Sequence, residues 1–335
     1  MFTIAVDVMG GDLGPRVAFK ACKKILKSNP DLSLILTMTS EFAEGARSYF
    51  SRYLQRIQII ECVDFVAMDD QPARVLRHGK QSSMAEAVRQ VRDGNAHGVI
   101  SVGNTGALMV LSRSVLGMVN GISRPALATQ IPTRDKPLLM LDLGANLESS
   151  AEQLCEFARL GVAWCKAQGE RSPQVGVLNI GQEASKGTTE VQLAGQRLTQ
   201  QMSQNYVGFC EGDSIYSGQL DVLACDGFSG NVALKTSEGL AGWVSIELQR
   251  VFDRSPIAWL LRPLWLGLLK RVLKRFTSTR YAGALLLGVN GIVVKTHGKS
   301  DDIAFAAAMN YLIEQIRVVD LSLLKAELVR LKPSD

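Results

Sequence analysis

The sequence predicts an α/β protein, a three-layer αβα fold built on a mainly parallel sheet. Short, continuously apolar runs alternate with stretches of helical periodicity along the chain, and strands buried on both faces read as such unbroken runs. The 335 residues hold thirty glycines against ten prolines, a balance that suits many tight strand-to-helix turns better than linkers. With 47% hydrophobic and 21% charged residues the composition excludes disorder, collagen and a disulfide scaffold, and the length suits one large α/β domain or two lobes.

The elements follow in order. Thr3–Val8 is an apolar run, and Pro15 suits the first position of a helix over Pro15–Lys27. Leu32–Met38 and Ile57–Ile60 are further strands. Ser82 is a helix-capping residue ahead of Ser83–Arg92, and the charged stretch from Asp69 to Lys80 before it reads as a solvated loop. Gly98–Ser101 leads into a helix over Ala107–Met118, and Ala126–Ile131 and Leu138–Leu141 are two more apolar runs. Then come helix Ser150–Gln168, strand Gln174–Ile180, helix Thr188–Met202, strand Leu220–Cys225, helix Asn231–Val251 and strand Gly291–Val294. Residues 301–335 are helical, with Asp301–Val318 first, and are expected to close back on the N-terminal part.

Six cysteines at 22, 62, 155, 165, 210 and 225 form no C-x-x-C, and only three histidines occur, so no zinc site and no metal is expected. Scattered in this way they read as free thiols of a cytoplasmic protein. No secretory signal is expected ahead of Thr3, and no run approaches the roughly 20 apolar residues of a membrane span. G-x-G-x-x-G and G-x-x-x-x-G-K-[ST] are absent, and Ser229 lies in Gly-Phe-Ser-Gly-Asn rather than a nucleophile elbow. A dinucleotide fold of the usual fingerprint, a P-loop NTPase and a serine hydrolase are therefore not supported, and no cofactor is expected.

Ligands of such folds bind beyond the carboxyl ends of strands, so the residues there are the candidates. Gly10 and Gly11 follow the first strand and allow either a tight turn or an anion-binding backbone. Asn104 and Thr105 open a helix, as caps or as donors. Asp142 and Asn146 end a strand; Asn179, Glu183 and Lys186 share one loop; Asp226 and Asn231 flank a helix start; Lys295 and His297 follow the last strand. Six strand ends presenting glycine with Asn, Lys or His are hard to explain by packing alone.

These strings together resemble one family. Ile4-Ala-Val-Asp-Val-Met-Gly-Gly-Asp12, Ser82-Ser-Met84, Gly103-Asn-Thr-Gly-Ala-Leu108, Arg124-Pro-Ala-Leu127, Leu141-Asp-Leu-Gly-Ala-Asn146, Leu178-Asn-Ile-Gly181, Cys225-Asp-Gly-Phe228 and Leu286-Leu-Gly-Val-Asn-Gly291 with Lys295 and His297 occur in the order of the bacterial acyl-carrier-protein:phosphate acyltransferase family. One departure is Tyr281-Ala-Gly-Ala-Leu285, where the family usually reads Tyr-Gly-Gly-Ala-Pro. The resemblance implies a two-lobed unit spanning residues 1–335, related to isopropylmalate dehydrogenase and phosphotransacetylase, acting as a homodimer. It implies transfer of a long-chain acyl group from acyl-carrier protein to inorganic phosphate, with the acyl phosphate passing to a membrane glycerol-3-phosphate acyltransferase. An acyl-CoA-dependent, phosphotransacetylase-like enzyme is the alternative.

Phosphate is already an anion near neutral pH and a thiol is a good leaving group, so such chemistry needs positioning and electrostatics more than a triad. Lys186 and Lys295 are then expected to hold phosphate charge, Asn231 and Asn104 to donate to phosphate or oxyanion, and His297 to assist the departing thiolate. Gly10, Gly11, Thr105, Asp142, Asn146, Asn179 and Asp226 complete the expected substrate-binding set.

The net charge of +5 is local. Asp253 to Arg280 carries seven basic residues against one acid, so the remaining chain is −1. That distribution does not suit nucleic-acid binding by a broadly basic domain. The same segment holds Trp259, Leu260, Trp265 and Leu269, and Leu264 to Phe276 places apolar and basic residues on separate faces of a helix. It is expected to lie on an anionic membrane surface, making the protein peripherally membrane-associated, with a dimer-interface helix pair as the other reading.

Overall fold

The computed structural model describes residues 2–254 and 283–332. Its strands are β1 (Phe2–Asp7), β2 (Leu32–Thr39), β3 (Ile57–Cys62), β4 (Gly98–Ser101), β5 (Ala126–Ile131), β6 (Leu138–Leu141), β7 (Val175–Leu178), β8 (Tyr206–Cys210), β9 (Val222–Ala224), β10 (Ala284–Leu287) and β11 (Ile292–Lys295). The helices among the described residues are α1 (Pro15–Ser28), α2 (Ser40–Tyr49), α3 (Pro72–His78), α4 (Ser83–Arg92), α5 (Thr105–Leu116), α6 (Ala151–Ala167), α7 (Thr189–Gln201), α8 (Gly227–Arg254), α9 (Asp302–Val318) and α10 (Leu321–Arg330). One mixed, mostly parallel sheet runs β3-β2-β1-β4-β11-β10-β5-β6-β9-β7-β8, with apolar clusters on both faces.

The centre of the sheet reverses its direction. β10 is antiparallel to both β11 and β5, and β5 is antiparallel to β6; the remaining pairings are parallel. The carboxyl ends of β1, β2, β3, β4 and β11 therefore face one end of the sheet, and those of β6, β7, β8 and β9 the other.

Several elements were not expected from the sequence. β8 is an edge strand broken by Gly208 at φ 107°, beside a register shift at Val175/Gly176, which weakens its apolar pattern. β10 is joined to β11 by a tight turn with Gly288 at φ 93°. Part of the charged stretch read as a loop is helix α3, begun by Pro72. α5 starts two residues early because the Asn104 side chain caps it, accepting from Ala107 N–H at 3.0 Å, and it ends at Gly117, at φ 71°. The C-terminal stretch is two helices: α9 packs on α1, as expected, and α10 packs on α6.

No described cysteine is in a disulfide; Cys22, Cys155, Cys210 and Cys225 are buried and Cys62 and Cys165 half-buried. Among the described residues no helix is long and apolar enough to cross a membrane. Trp259, Leu260, Trp265 and Leu269, like nearly all of segment 253–280, lie outside the described residues.

Candidate active site

Side chains alternate across a strand, so Leu127, Thr129 and Ile131 of β5 share one face. That face is the floor of a cleft of about 960 Å³. The start of α5 (Thr105), the end of β11 with Thr296 and His297, and α8 from Asn231 to Ala241 form its sides, and Ile215 and Tyr216 extend its wall. The walls are largely apolar, with cations, amides and hydroxyls at intervals.

Lys295 is the cleft residue with the most constrained charge. It ends β11 at 7% exposure, opposite Ser101 of β4. Its Nζ donates to Thr296 O and to Val102 O (3.4 Å), so one of its three N–H groups remains for a ligand. Burial pushes the ammonium down to about 8 from 10.5, against the opposing pull of Asp12 and then Asp7. The amine thus stays mostly protonated near neutrality, inside a largely apolar cleft. His297 is exposed at the rim, its Nδ1 3.4 Å from the Lys299 N–H that donates to it. Asn231 is exposed in the cleft beside Gly144, and its amide has no hydrogen-bond partner among the described residues.

The other expected residues fall elsewhere. Lys186 is exposed on the loop after β7 and does not line the cleft. Lys186 is thus not among the residues that line the cleft with Lys295. Asn179 ties that same loop, donating to Lys186 O (3.1 Å) and accepting from Ile180 N–H (2.9 Å). Asn104 caps α5 and gives its two amide hydrogens to Met68 O (2.8 Å) and Asp70 O (2.9 Å), so it is already saturated as a donor. Thr105 alone of that pair lines the cleft.

Asp142 and Asn146 form a buried clamp rather than a cleft surface. Asp142 is fully buried and accepts from Leu127 N–H (2.9 Å), Ala145 N–H (3.1 Å), Asn146 N–H (2.6 Å) and Asn146 Nδ2 (3.0 Å). Burial raises its pKa, and these donors oppose the rise. Asp226 caps α8 by accepting from Ser229 N–H (2.9 Å). The first turn of α8 lies directly on the clamp: a Cβ on Gly230 would sit 1.9 Å from Asp142 O, and one on Gly227 2.3 Å from Asn146 O. Gly230→Ala is therefore expected to cost about 3 kcal/mol in a denaturant titration, because the obstacle is backbone that cannot swing away.

Gly10 and Gly11 serve close approach. A Cβ on Gly10 would meet Gly103 Cα at 2.3 Å, and one on Gly11 would meet a Val102 methyl at 2.6 Å. The two strand-end loops thus lie backbone against backbone. Sequence reasoning did not select Asp7, Ser83 and Ser101 beneath them. A polar residue closing the apolar strand Ile4-Ala-Val, matched by Ser101 closing its neighbour, was the available signal.

The fold is that of the phosphotransacetylases. The protein is similar over 95% of its length to 94% of a phosphotransacetylase chain from Streptococcus pyogenes (TM-score 0.61, 18% identity). It is similar over 95% of its length to the whole of a branched-chain phosphotransacylase chain from Enterococcus faecalis V583 (TM-score 0.60, 15% identity). The family model described as fatty acid synthesis protein matches residues 2–318. A phosphate acyltransferase of Stutzerimonas stutzeri is 44% identical over 91% of this chain and 86% of its own, and one of Legionella pneumophila is 41% identical over 95% and 94%. The chain belongs to this phosphate acyltransferase family, and its members are transferases.

Proposed function

We propose that the protein transfers a long-chain acyl group from acyl-carrier protein to inorganic phosphate, as one two-lobed catalytic unit acting as a homodimer, and supplies the acyl phosphate to a membrane glycerol-3-phosphate acyltransferase. The observation that carries this reading is a nearly buried ammonium, Lys295, set beside an apolar wall in one cleft. A substrate pair made of an inorganic anion and a hydrocarbon chain requires that combination.

In this reading a phosphate oxygen attacks the thioester carbonyl, the C–O bond forms, and the tetrahedral oxyanion collapses with loss of the carrier's thiolate. Lys295 holds phosphate charge through its spare N–H. Asn231 donates to the oxyanion, and His297 at the rim protonates the departing sulfur. The acyl chain lies over Leu127, Ile131 and Leu234. Donors fixed before the reaction are worth most where burial limits solvent screening, and Lys295 is 7% exposed.

The test is incubation with acyl-carrier protein and labelled phosphate. Hydroxylamine-sensitive acyl phosphate is expected, with acyl-CoA a poorer donor and no loss of rate in EDTA. Acyl-CoA serving better than the carrier protein would transfer the assignment to the phosphotransacetylase-like alternative.

The proposal includes the membrane surface, from the pattern of residues 253–280 alone. Sedimentation with anionic vesicles, weakened by salt, is expected. Polar replacement of Trp259, Trp265 and Leu269 together is expected to abolish sedimentation while soluble turnover persists. Loss of the dimer instead of loss of sedimentation would assign these side chains to a subunit interface.

A further inference from the structure

A cross-strand row lies beneath the cleft. Thr37, Asp7, Ser101 and Lys295 are register neighbours on β2, β1, β4 and β11. Asp7 is 1% exposed. One carboxylate oxygen accepts from Ser83 Oγ of α4 at 2.7 Å and the other from Ser101 Oγ at 2.7 Å, with Met9 N–H at 3.4 Å from the first. Ser101 Oγ in turn accepts from Gly103 N–H at 3.0 Å, so its own hydrogen is committed to Asp7. The loop thus gripped carries Val102, whose carbonyl accepts from Lys295 Nζ.

We propose that Asp7 is a positioning residue: held by Ser83 and Ser101, its carboxylate fixes the loop at 101–103 and through Val102 O aims the Lys295 amine into the cleft. The relay is continuous, from Asp7 through the Ser101 hydroxyl to Gly103 N–H and the adjoining Val102 carbonyl. Gly10 and Gly103 pack without side chains between them, which brings the loop carrying Met9 against the same segment. A buried carboxylate with three donors aimed at it, beside a buried ammonium, is an arrangement that packing alone does not require. Its rate effect rests on the acyl-transfer reading; its effect on the amine does not.

The charged and titratable groups around this pair are few. Asp12 lies on the loop after β1 and His297 beyond β11. Glu86 and Arg89 on α4 pair with each other, and the Cys62 thiol at the end of β3 is pushed up to about 11 by burial, then by Glu86 and Asp7. Asp12 is exposed and influences Lys295 through space, without bonding to the serine relay.

That difference supplies the experiment. The pH dependence with which an amine reagent labels Lys295 is read by peptide mass in the full chain, and acyl phosphate turnover is measured at pH 6.5, where the amine is protonated. Asp12→Asn and, to a smaller extent, Asp7→Asn are expected to move the labelling midpoint down, since each removes an opposite charge, though burial raises the Asp7 carboxyl above its usual range. Asp7→Asn and Ser101→Ala are expected to lower kcat at pH 6.5 on the order of tenfold, with KM for the acyl donor unchanged, because the amine is displaced rather than discharged. Asp12→Asn is expected to keep most of its turnover there. Wild-type kcat in Ser101→Ala, or an equal kcat loss in Asp12→Asn, overturns the proposal. If Asp7→Asn does not fold, Ser101→Ala decides alone, since it keeps the carboxylate. A wild-type chain that makes no acyl phosphate refutes the acyl-transfer reading, and an amine whose labelling rate at fixed pH is unchanged in Ser101→Ala then overturns the positioning role as well.

Discussion

Lys295→Met is expected to lower acyl phosphate formation about 100-fold or more and to stabilise the fold at the same time. The loss follows from removing a buried, preorganised cation from the cleft wall. The gain follows from linkage. The lysine's pKa is depressed by burial from 10.5 to about 8, so near pH 7 the folded chain holds a buried charge that the unfolded chain solvates freely. Below pH 8 this burden is on the order of 3 kcal/mol. Between pH 8 and 10.5 the unfolded state binds the extra proton, so the lysine's penalty shrinks as pH rises through that window. Methionine carries none of it. Denaturant titrations at pH 7 and pH 10 should therefore show the variant ahead at the first and nearly level at the second. Wild-type activity should decline above pH 8. A variant less stable than wild type at pH 7 would mean that the two carbonyl bonds to Nζ repay its burial.

Asp142→Ala is expected to cost about 3–5 kcal/mol, the largest loss of stability among these substitutions. Four donors converge on this fully buried carboxylate, and alanine leaves them facing a dry hole. The start of α8 rests on the same loop, so Asn231 would lose its seat with it. Asp142→Asn should recover part of the stability, since its amide oxygen still accepts. Loss of activity with unchanged unfolding would return Asp142 to the substrate-binding role that its place at a strand end suggests.

Much of the fold was legible because strands buried on both faces have a strong apolar signature. Gly98–Ser101, Ala126–Ile131 and Leu138–Leu141 were expected with the bounds they have. Strand direction was not legible, because an apolar run reads the same in either sense. The antiparallel centre therefore stayed hidden. α2 was missed because Gly45 interrupts a short helix whose buried side chains are alanines. At the site, Lys295, His297, Asn231 and Thr105 were recognisable as polar residues beyond apolar strands, and all line the cleft. Asp142, Asn146, Asn179 and Asp226 carry the same outward signature, yet their side chains bind the backbone of their own loops and, for Asp142 and Asn146, of the segment at Pro125 and Leu127. No spacing rule separates an asparagine that caps from one that waits for a ligand.

The order of strands across the sheet has a consequence for how the chain is born. Among the described residues, β10 and β11 are the strands that join β4 to β5 across the sheet. A nascent chain that has emerged only as far as α8 presents β4 and β5 as open, hydrogen-bond-hungry borders, the kind of surface on which chains pair with strangers. The late hairpin closes both borders in one event. It also delivers Lys295 and His297, which line the cleft. A chain that ends ahead of residue 284 is therefore expected to leave both borders unpaired.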